Sequence, residues 1–311
     1  MNIFKTRLFL VLSIIGIAFV NAQQDPQYTQ YMLNGIVINP AIAGSRGVST
    51  ISGLHRSQWI GLEGAPTTQT LNFNAPVSRR VGIGLSVVND AIGNGTQQET
   101  YFDAVFSYNI PVSEEGNLAF GINAGGDWLS VDFTKLVNYG VETNLPNIDR
   151  KFSPTVGLGT YFYTEQYFIG LSVPSLLETE HFDNSGDSNS YIAKERMNFY
   201  LMSGAVFDLN RNTKLRPAIL IKAVSGAPVQ VDLTASFLFN DRFSVGAAYR
   251  LDAAFSALFG MQITNEFLAG LAYDIETTEL GSTQFNDGSF EVFLRYDFLN
   301  RFRKKATYNF F

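Results

Sequence analysis

The chain has 311 residues, of which 46% are hydrophobic, 14% aromatic and only 16% charged, and its formal net charge is −6. This apolar and aromatic content excludes a disordered chain, and the acidic balance disfavours a general nucleic-acid-binding protein. The sequence contains no cysteine, which excludes a disulfide framework, a thiolate zinc site and a cysteine nucleophile.

The first 22 residues have the pattern of a secretory signal peptide. Lys5 and Arg7 precede an apolar run over residues 8–20, which is short for a bilayer span. Val20 and Ala22 occupy the −3 and −1 positions, so we expect cleavage before Gln23. No cysteine follows that point, so a lipoprotein signal is not expected. A retained anchor helix is the alternative interpretation.

Residues 23–47, called here the N-terminal segment, show no alternation. Tyr28, Tyr31 and Met32 have helical spacing, and Asn39-Pro40 is expected to end a helix. One interpretation is a plug that folds into the mouth of the domain that follows, and the other is a disordered leader. Because so much apolar surface seldom stays exposed, the plug is favoured. Its proposed residues are Tyr28, Tyr31, Asn34, Asn39 and Pro40.

From residue 48 onward the hydrophobic period is two, which is typical of strands with one apolar face. Val81, Ile83 and Leu85, for example, alternate with glycine and serine. The alternation predicts strands over 48–59, 67–76, 81–90, 99–110, 117–132, 151–163, 166–173, 197–208, 213–224, 229–238, 243–250, 256–263, 266–274 and 290–298. These are 14 strands, and bacterial single-chain membrane barrels have an even number of strands.

A soluble β-sandwich shows the same alternation, but the polar face favours a transmembrane barrel. It carries charges in mid-strand that need a wet lumen: Asp103, Arg216, Lys222, Asp232 and Arg295. Tyrosines near strand ends are expected to form the interfacial girdles: Tyr108, Tyr161, Tyr163, Tyr249, Tyr273 and Tyr296. We therefore predict an all-β protein, a 14-stranded antiparallel transmembrane β-barrel over 48–298.

The connections alternate between short turns and long loops, as in outer-membrane barrels, where the short turns face the periplasm. The long connections are expected at 91–98, 133–150, 174–196 and 275–289. This arrangement predicts that both termini are periplasmic. Glycines that alternate along strands, such as Gly82 with Gly84 and Gly157 with Gly159, are expected to make room in the lumen or at a bend, not to bind phosphate.

The stretch after the first strand is expected at the outer rim, where a partner could be met. The candidate contact residues there are Arg56, Trp59, Gly64 and Pro66. Gly64-Ala65-Pro66 recurs as Gly226-Ala227-Pro228, which adds Pro228 to the candidates. Simple turn chemistry is the alternative explanation of the repeat.

No catalytic, cofactor-binding or metal site is expected, because the residue types and motifs are missing. His55 and His181 are the only histidines, and no G-x-S-x-G, Walker A or H-E-x-x-H motif occurs. Residues 299–311 form a basic and aromatic tail that either is a solvated end or makes a periplasmic contact.

The chain resembles the PorP/SprF family of type IX secretion membrane proteins over nearly the whole mature length. In the first part of the chain the resemblance is carried by Tyr28, Tyr31, Asn34, Asn39-Pro40-Ala41, Ala43-Gly44, Arg56, Gln58-Trp59, Gly61, Gly64-Ala65-Pro66 and Gln69. Later it is carried by Leu215-Arg216-Pro217, Lys222, Ala227-Pro228, Gly246, Tyr249-Arg250, Tyr273-Asp274, Glu291 and Tyr296. His55 and the stretch Ile219–Ile221 depart from the family pattern.

The resemblance implies an outer-membrane barrel related to the fatty-acid-channel superfamily, with no cofactor and no catalysis. It implies help in exporting or anchoring a large surface adhesin in gliding or biofilm-forming bacteria. The implied partners are outer-membrane lipid, the adhesin's C-terminal domain and periplasmic components linked to the secretion motor; no nucleic acid is implied. The alternative function is a passive channel for hydrophobic small molecules.

Overall fold

The computed structural model describes residues 26–135, 147–177, 180–183, 190–194, 197–225, 227–278 and 286–299. The strands are β1 (Ser49–Ser57), β2 (Thr67–Pro76), β3 (Val81–Ile92), β4 (Gln97–Pro111), β5 (Asn117–Val131), β6 (Ile148–Tyr163), β7 (Tyr167–Val173), β8 (Glu180–Asp183), β9 (Ser190–Lys194), β10 (Asn198–Ala205), β11 (Phe207–Asn210), β12 (Thr213–Val224), β13 (Gln230–Phe239), β14 (Phe243–Arg250), β15 (Ala254–Gln262), β16 (Phe267–Glu276) and β17 (Ser289–Phe298). The described helices are α1 (Gly35–Ile38) and two 3-10 turns, Pro40–Ile42 and Phe133–Lys135.

The sheet closes on itself. β1 pairs antiparallel with β17, and β10 pairs with both β7 and β12. β11 continues β10 along the same edge of β12. The register does not change between them, since Gly204 pairs with Ala218 and Phe207 with Leu215. β10 and β11 therefore count as one strand, and β8 with β9 forms a separate hairpin. The result is the predicted 14-stranded antiparallel barrel, which the structure confirms.

The two faces of the barrel wall differ as the alternation predicts. Outward side chains are apolar and exposed, with Leu71, Leu85 and Leu171 each more than half exposed. Inward side chains are mostly small, polar or charged, with buried Asp232 and Arg295 among them, whereas a few large apolar ones such as Phe293 pack against the N-terminal segment. An apolar exterior around a polar lumen is the arrangement of a transmembrane barrel, because lipid contacts one face and the lumen solvates the other.

Aromatic rings collect on the outer surface near both ends of the wall. Phe102, Trp128 and Phe152 stack together at one end. Phe243 packs against Phe239 and Phe259 at the other. Such belts mark the two membrane interfaces.

Two of the tyrosines predicted for these belts lie elsewhere. Tyr108, Tyr273 and Tyr296 point outward, each about two-fifths exposed. Tyr161 and Tyr163 instead face the lumen, where they are 5% and 2% exposed. Successive side chains of a strand point to opposite faces, so Tyr161 and Tyr163 share the inward face of β6 and Phe162 between them points outward.

The barrel has two unlike ends. At the loop end, the connections are 58–66, 93–96, 132–147, 174–197, 225–229, 251–253 and 277–288. At the short-turn end, they are 77–80, 112–116, 164–166, 211–212, 240–242 and 263–266. Three loop-end connections, 93–96, 225–229 and 251–253, are no longer than the longest short turn, so the predicted alternation of lengths is incomplete. The last described residue, Leu299, follows β17 at the short-turn end.

The hydrophobic core lies in the lumen, because the N-terminal segment fills it. Tyr28, Tyr31 and Ile38 form one buried cluster with wall residues that include Phe168 and Phe293. The segment contacts strands on every side of the barrel, which places it inside. Within the described residues, no helix is long and apolar enough to cross a bilayer.

Candidate functional site: the interior contacts of the N-terminal segment

The five residues singled out in the N-terminal segment are all buried in the lumen. Tyr31, Asn34 and Asn39 have side chains that are at most 1% exposed. The local chain is short helical turns, because Asn39-Pro40 ends α1 and starts the next 3-10 turn. Asn39 Oδ1 caps that turn by accepting a hydrogen bond from the Ala41 N–H at 2.9 Å.

A buried charge cluster anchors the start of the segment. Glu291 accepts hydrogen bonds from the backbone N–H groups of Thr29 and Gln30, at 2.9 and 2.8 Å. The Thr29 hydroxyl donates to Asp274 at 2.7 Å, and it accepts from Arg56 at 2.8 Å. Arg56 also pairs with Asp274 at 2.7 Å and with Glu291 at 3.5 Å. These three wall side chains are at most 1% exposed.

The register of three neighbouring strands creates this cluster. Arg56 in β1 lies directly opposite Glu291 in β17. Asp274 lies in β16, the next strand, where it pairs with Ser289. Because all three side chains point inward near the loop end, their charges meet at one level of the lumen. Two carboxylates and one guanidinium leave acceptor capacity, which the backbone N–H groups of the segment use.

A second charged anchor lies beside the first. Arg250 donates to Asp232 at 2.6 Å and to the Gln27 side-chain oxygen at 2.9 Å. Gln230 donates to the second oxygen of Asp232 at 2.6 Å. Arg250 also reaches the Tyr28 carbonyl at 3.5 Å. The Gln27 amide donates to the Gln230 side-chain oxygen at 3.4 Å. Residues 27–30 are therefore fixed by side chains from five strands, β1, β13, β14, β16 and β17.

Amide side chains hold the middle of the segment. Asn34 Oδ1 accepts from Asn72 at 2.6 Å, and Asn72 in turn accepts from Ser86 at 2.7 Å. Asn39 donates to the Thr160 carbonyl at 2.9 Å. These contacts tie the two ends of α1 to separate parts of the wall, β2 and β6, which are four strands apart.

The segment ends at the short-turn end. Ser107 donates to the Ala43 carbonyl at 2.5 Å, and the Gly44 N–H donates to Asn74 at 2.6 Å. Arg46 pairs with Asp297 at 2.9 Å. The chain then enters β1 and runs back toward the loop end.

Glycines of the wall leave the space that the segment fills. A Cβ atom at any of six inward glycines would overlap a residue of the segment. The overlaps would be Gly82 with Ala43, Gly84 with Ile36, Gly121 with Pro40 and Ala41, Gly159 and Gly170 with Asn39, and Gly270 with Gln30. The prediction that alternating glycines make room in the lumen is confirmed for Gly82, Gly84 and Gly159, where the room is occupied by the segment, whereas a Cβ atom at Gly157 would meet Asn123 and Pro174.

Some of the residues predicted for the outer rim are buried, and others are at least partly exposed. The prediction that Arg56 lies at the rim is wrong, because its guanidinium is buried in the charge cluster. Pro66 is also buried, and its carbonyl accepts a hydrogen bond from the Gln58 N–H. Trp59 is half-buried in the loop, where its indole N–H donates to Glu276 at 3.1 Å. Pro228 is exposed.

Gly64 has a structural role at the loop end. Its φ of +78° favours glycine, and its carbonyl accepts from the Gly93 N–H at 2.8 Å. Gly64 therefore closes the 58–66 loop onto the neighbouring 93–96 turn. The repeat of Gly64-Ala65-Pro66 at 226–228 cannot be compared in full, because Gly226 lies outside the described residues.

The segment divides the remaining lumen into cavities. One cavity of about 140 Å³ faces the loop end and is lined by Tyr28, Tyr31, Tyr101, Tyr200 and Lys222 among others. Another, of about 90 Å³, lies toward the short-turn end and includes Arg216, Arg242 and Arg295 in its lining. Among the described residues, no group of three or more His, Cys, Asp or Glu side chains could hold a metal ion.

Comparison with known families identifies this architecture. The family model described as "Type IX secretion system membrane protein PorP/SprF" matches residues 20–296. The chain belongs to the PorP/SprF family. No curated protein matches the chain significantly.

Solved structures share the barrel fold of this PorP/SprF protein at low sequence identity. The "CymD monoaromatic hydrocarbon channel" aligns with a TM-score of 0.51 and 11% identity, over 90% of this chain and 94% of that chain. A Pseudomonas aeruginosa FadL homologue aligns with a TM-score of 0.48 and 11% identity, over 85% of this chain and 94% of that chain. At identity this low, the CymD alignment speaks for the fold alone.

The interior anchors coincide with residues that carry the PorP/SprF resemblance. Arg56, Asp274 and Glu291 form the first anchor, and Arg250 belongs to the second. The alternation of the sequence does not predict their roles, because it shows only that a charged side chain points inward and not what that side chain contacts. Thr29, Gln30 and Asp232 complete the anchors, and of these only Asp232 is signalled, as an inward mid-strand charge.

Proposed function

We propose that this protein is an outer-membrane component of type IX secretion that helps to export or anchor a specific large surface adhesin through the adhesin's C-terminal domain. Its membership in the PorP/SprF family carries this proposal, because the match covers the whole N-terminal segment and nearly all of the barrel. The proposed activity is binding and assembly, not catalysis. Periplasmic components linked to the secretion motor are the further proposed partners.

The N-terminal segment is the proposed plug of the barrel. Tyr28, Tyr31, Asn34, Asn39 and Pro40 lie across the lumen, and the glycine-lined wall is shaped to receive them. A filled lumen suits a protein that handles a folded partner at its ends better than one that conducts solutes. Residues 1–22 are proposed as the signal peptide and 299–311 as a periplasmic tail; almost all of both lie outside the described residues.

The proposed orientation places the short turns in the periplasm and the loop end outside, as in other outer-membrane barrels. In that orientation Trp59, Gly64 and Pro228 belong to the cell-surface rim. Pro228 is exposed, so it is available to an anchored partner, and Trp59 offers part of its ring. Gly64 would act by holding the loop shape, not through a side chain.

A passive channel for hydrophobic molecules is the second candidate, and one feature of the wall favours it. β7 has only 7 residues against 16 in β6, and their pairing ends at Leu158 and Val173. Next to this short strand, an outer apolar groove and the loop-end cavity share Tyr200 in their linings. A small apolar molecule could pass between lumen and lipid at that seam.

The deciding experiment compares the surface, medium and cell proteomes of a strain lacking the gene with those of its parent. Release of one or a few large type IX substrates into the medium would indicate an anchoring role. Their retention inside the cell would indicate an export role. If every such substrate keeps its normal location while uptake of apolar compounds falls, the secretion proposal is wrong and the channel is supported. Re-expression of the gene is the control.

A further inference from the structure

Arginine side chains gather in the lumen at the short-turn end. Three of them, from separate elements, line the cavity of about 90 Å³: Arg216 of β12, Arg242 of the turn before β14 and Arg295 of β17. A neighbouring cavity of about 70 Å³ is lined by Arg46 and again by Arg295. Both cavities also share residues of the N-terminal segment in their linings, so they lie side by side against it.

The carboxylates at this level balance only part of that charge. Among the described residues that line the two cavities, Asp241 is the one carboxylate, and it is also paired with Lys214 at 3.0 Å. Asp297 lies next to the lining and is shared, since it pairs with Arg46 at 2.9 Å and with Arg295 at 3.3 Å. Four guanidinium groups are therefore matched by two carboxylates, one of which a lysine also uses.

This positive excess is local. At the loop end, Arg56 lies between Asp274 and Glu291, and beside it Arg250 pairs with Asp232, so carboxylates outnumber guanidinium groups there. The chain as a whole carries a net charge of −6. Like charges gathered in a partly enclosed space are costly unless an anion joins them, so the short-turn cavities are suited to an anionic ligand.

The lining suits a carboxylate that a polypeptide carries. Guanidinium groups bind carboxylates through two parallel N–H donors. Met32, Leu33 and Leu268 add apolar surface beside the arginines, which a hydrated inorganic anion would not use. Arg242 is exposed at its turn, whereas Arg295 is buried, so the positive lining continues from the mouth of the barrel into the lumen. A ligand that enters from the short-turn end meets Arg242 first.

We propose that these two cavities, called here the basic vestibule, bind an acidic segment of a periplasmic protein. A carboxylate of that segment contacts Arg216, Arg242 and Arg295, and an apolar side chain next to it packs against Met32 and Leu33. The periplasmic origin of the ligand rests on the orientation given under the proposed function, whereas the binding rests on the described lining alone. Because the N-terminal segment forms one wall of the vestibule, the ligand also contacts the segment that fills the lumen.

Peptide binding to the purified full-length protein in detergent tests the basic vestibule. The probe is the acetylated, amidated tetrapeptide Leu-Glu-Glu-Leu with an uncharged dye, and fluorescence anisotropy gives its affinity. We expect Arg216→Gln and Arg242→Gln each to weaken binding about tenfold, because each removes a charge-assisted hydrogen-bonded contact. Arg79→Gln is the matched control, since Arg79 is an exposed arginine at the same end that lines neither cavity. A gel migration that changes on boiling confirms that each variant keeps the barrel.

Three results would overturn the proposal. The first is equal affinity for the peptide in which glutamine replaces both glutamates. The second is an equal loss of binding in Arg79→Gln and Arg242→Gln, because the attraction would then not depend on the lining. The third is displacement of the peptide by inorganic phosphate at the peptide's own concentration, since the vestibule would then take a small anion. The proteome comparison is independent: peptide binding by a protein whose loss leaves every type IX substrate in place would reject the secretion role and keep the vestibule.

Discussion

Glu291 makes several of the contacts that anchor the N-terminal segment in the lumen. One carboxylate accepts two backbone N–H groups of the segment and faces the Arg56 guanidinium. A buried ion pair adds little stability relative to apolar packing, but removing one partner is costly because the other charge stays buried. The cluster therefore serves position: it fixes Thr29 and Gln30 at one level of the lumen.

Glu291→Gln tests that role with little change in shape. The amide keeps one acceptor oxygen but sets a donor against a backbone N–H, and a buried unsatisfied donor costs about 1–3 kcal/mol. Local release of the segment should rise roughly 5- to 150-fold, since proteolysis follows the population of the open form. Chymotrypsin cleavage after Tyr28 or Tyr31, followed by mass spectrometry of the peptides, measures this. Glu115→Gln, at an exposed turn residue, is the matched control, and equal cleavage in both variants would contradict the anchoring role.

Arg56 shows what the sequence can and cannot predict at a single position. Its place near the end of the first strand suits an interfacial cation equally well, because a long basic side chain can reach water from such a site. Only the register with β16 and β17 brings Asp274 and Glu291 next to it. Register between distant strands is not encoded in local alternation, so the cluster could not be assembled from the sequence.

At the level of elements, the N-terminal segment and the inner face of the wall strands are complementary in shape and in hydrogen bonding. Inward glycines line its path, and amide and hydroxyl side chains meet its turns. The strands themselves were predictable, since the period of two reports directly on a wall with one apolar face. The path of the segment was not predictable, because a turn-rich stretch carries no period that relates it to the barrel.

Gly121→Ala should displace the N-terminal segment without unfolding the barrel. The new Cβ would overlap the backbone of Pro40 and Ala41, which cannot rotate away as a side chain would, so the segment must move. Gly53→Ala is the control, since its Cβ would lie 3.6 Å from the nearest atom outside its neighbours, the Thr70 carbonyl oxygen. Cells carrying Gly121→Ala should become several-fold more sensitive to vancomycin, an antibiotic too bulky for an intact outer membrane. The same sensitivity in both variants would show that the glycine does not serve the plug.

At the level of the whole molecule, a closed barrel encloses a part of its own chain as its core. The 14 strands leave no open edge in the described barrel sheet apart from the loop-end part of β6 beside the short β7. Pairing of nearly all backbone groups suits a wall in lipid. The buried apolar cluster that a soluble protein places between layers lies here between the N-terminal segment and the wall. Stability and closure of the lumen are therefore coupled, because the contacts that fill the pore also form the core.

Deleting most of the N-terminal segment tests whether that segment closes the lumen of the barrel. Purified protein in a planar bilayer should carry no steady current, whereas a variant lacking residues 27–41 should conduct ions, because the space left by the segment connects both ends of the lumen. A gel migration that changes on boiling confirms that the variant still forms a barrel. If the intact protein conducts as well as the deletion variant, the segment does not close the lumen. If the intact protein carries no ion current but still passes an apolar solute, the channel role is favoured over the secretion role, since the solute would then use the wall seam at Tyr200.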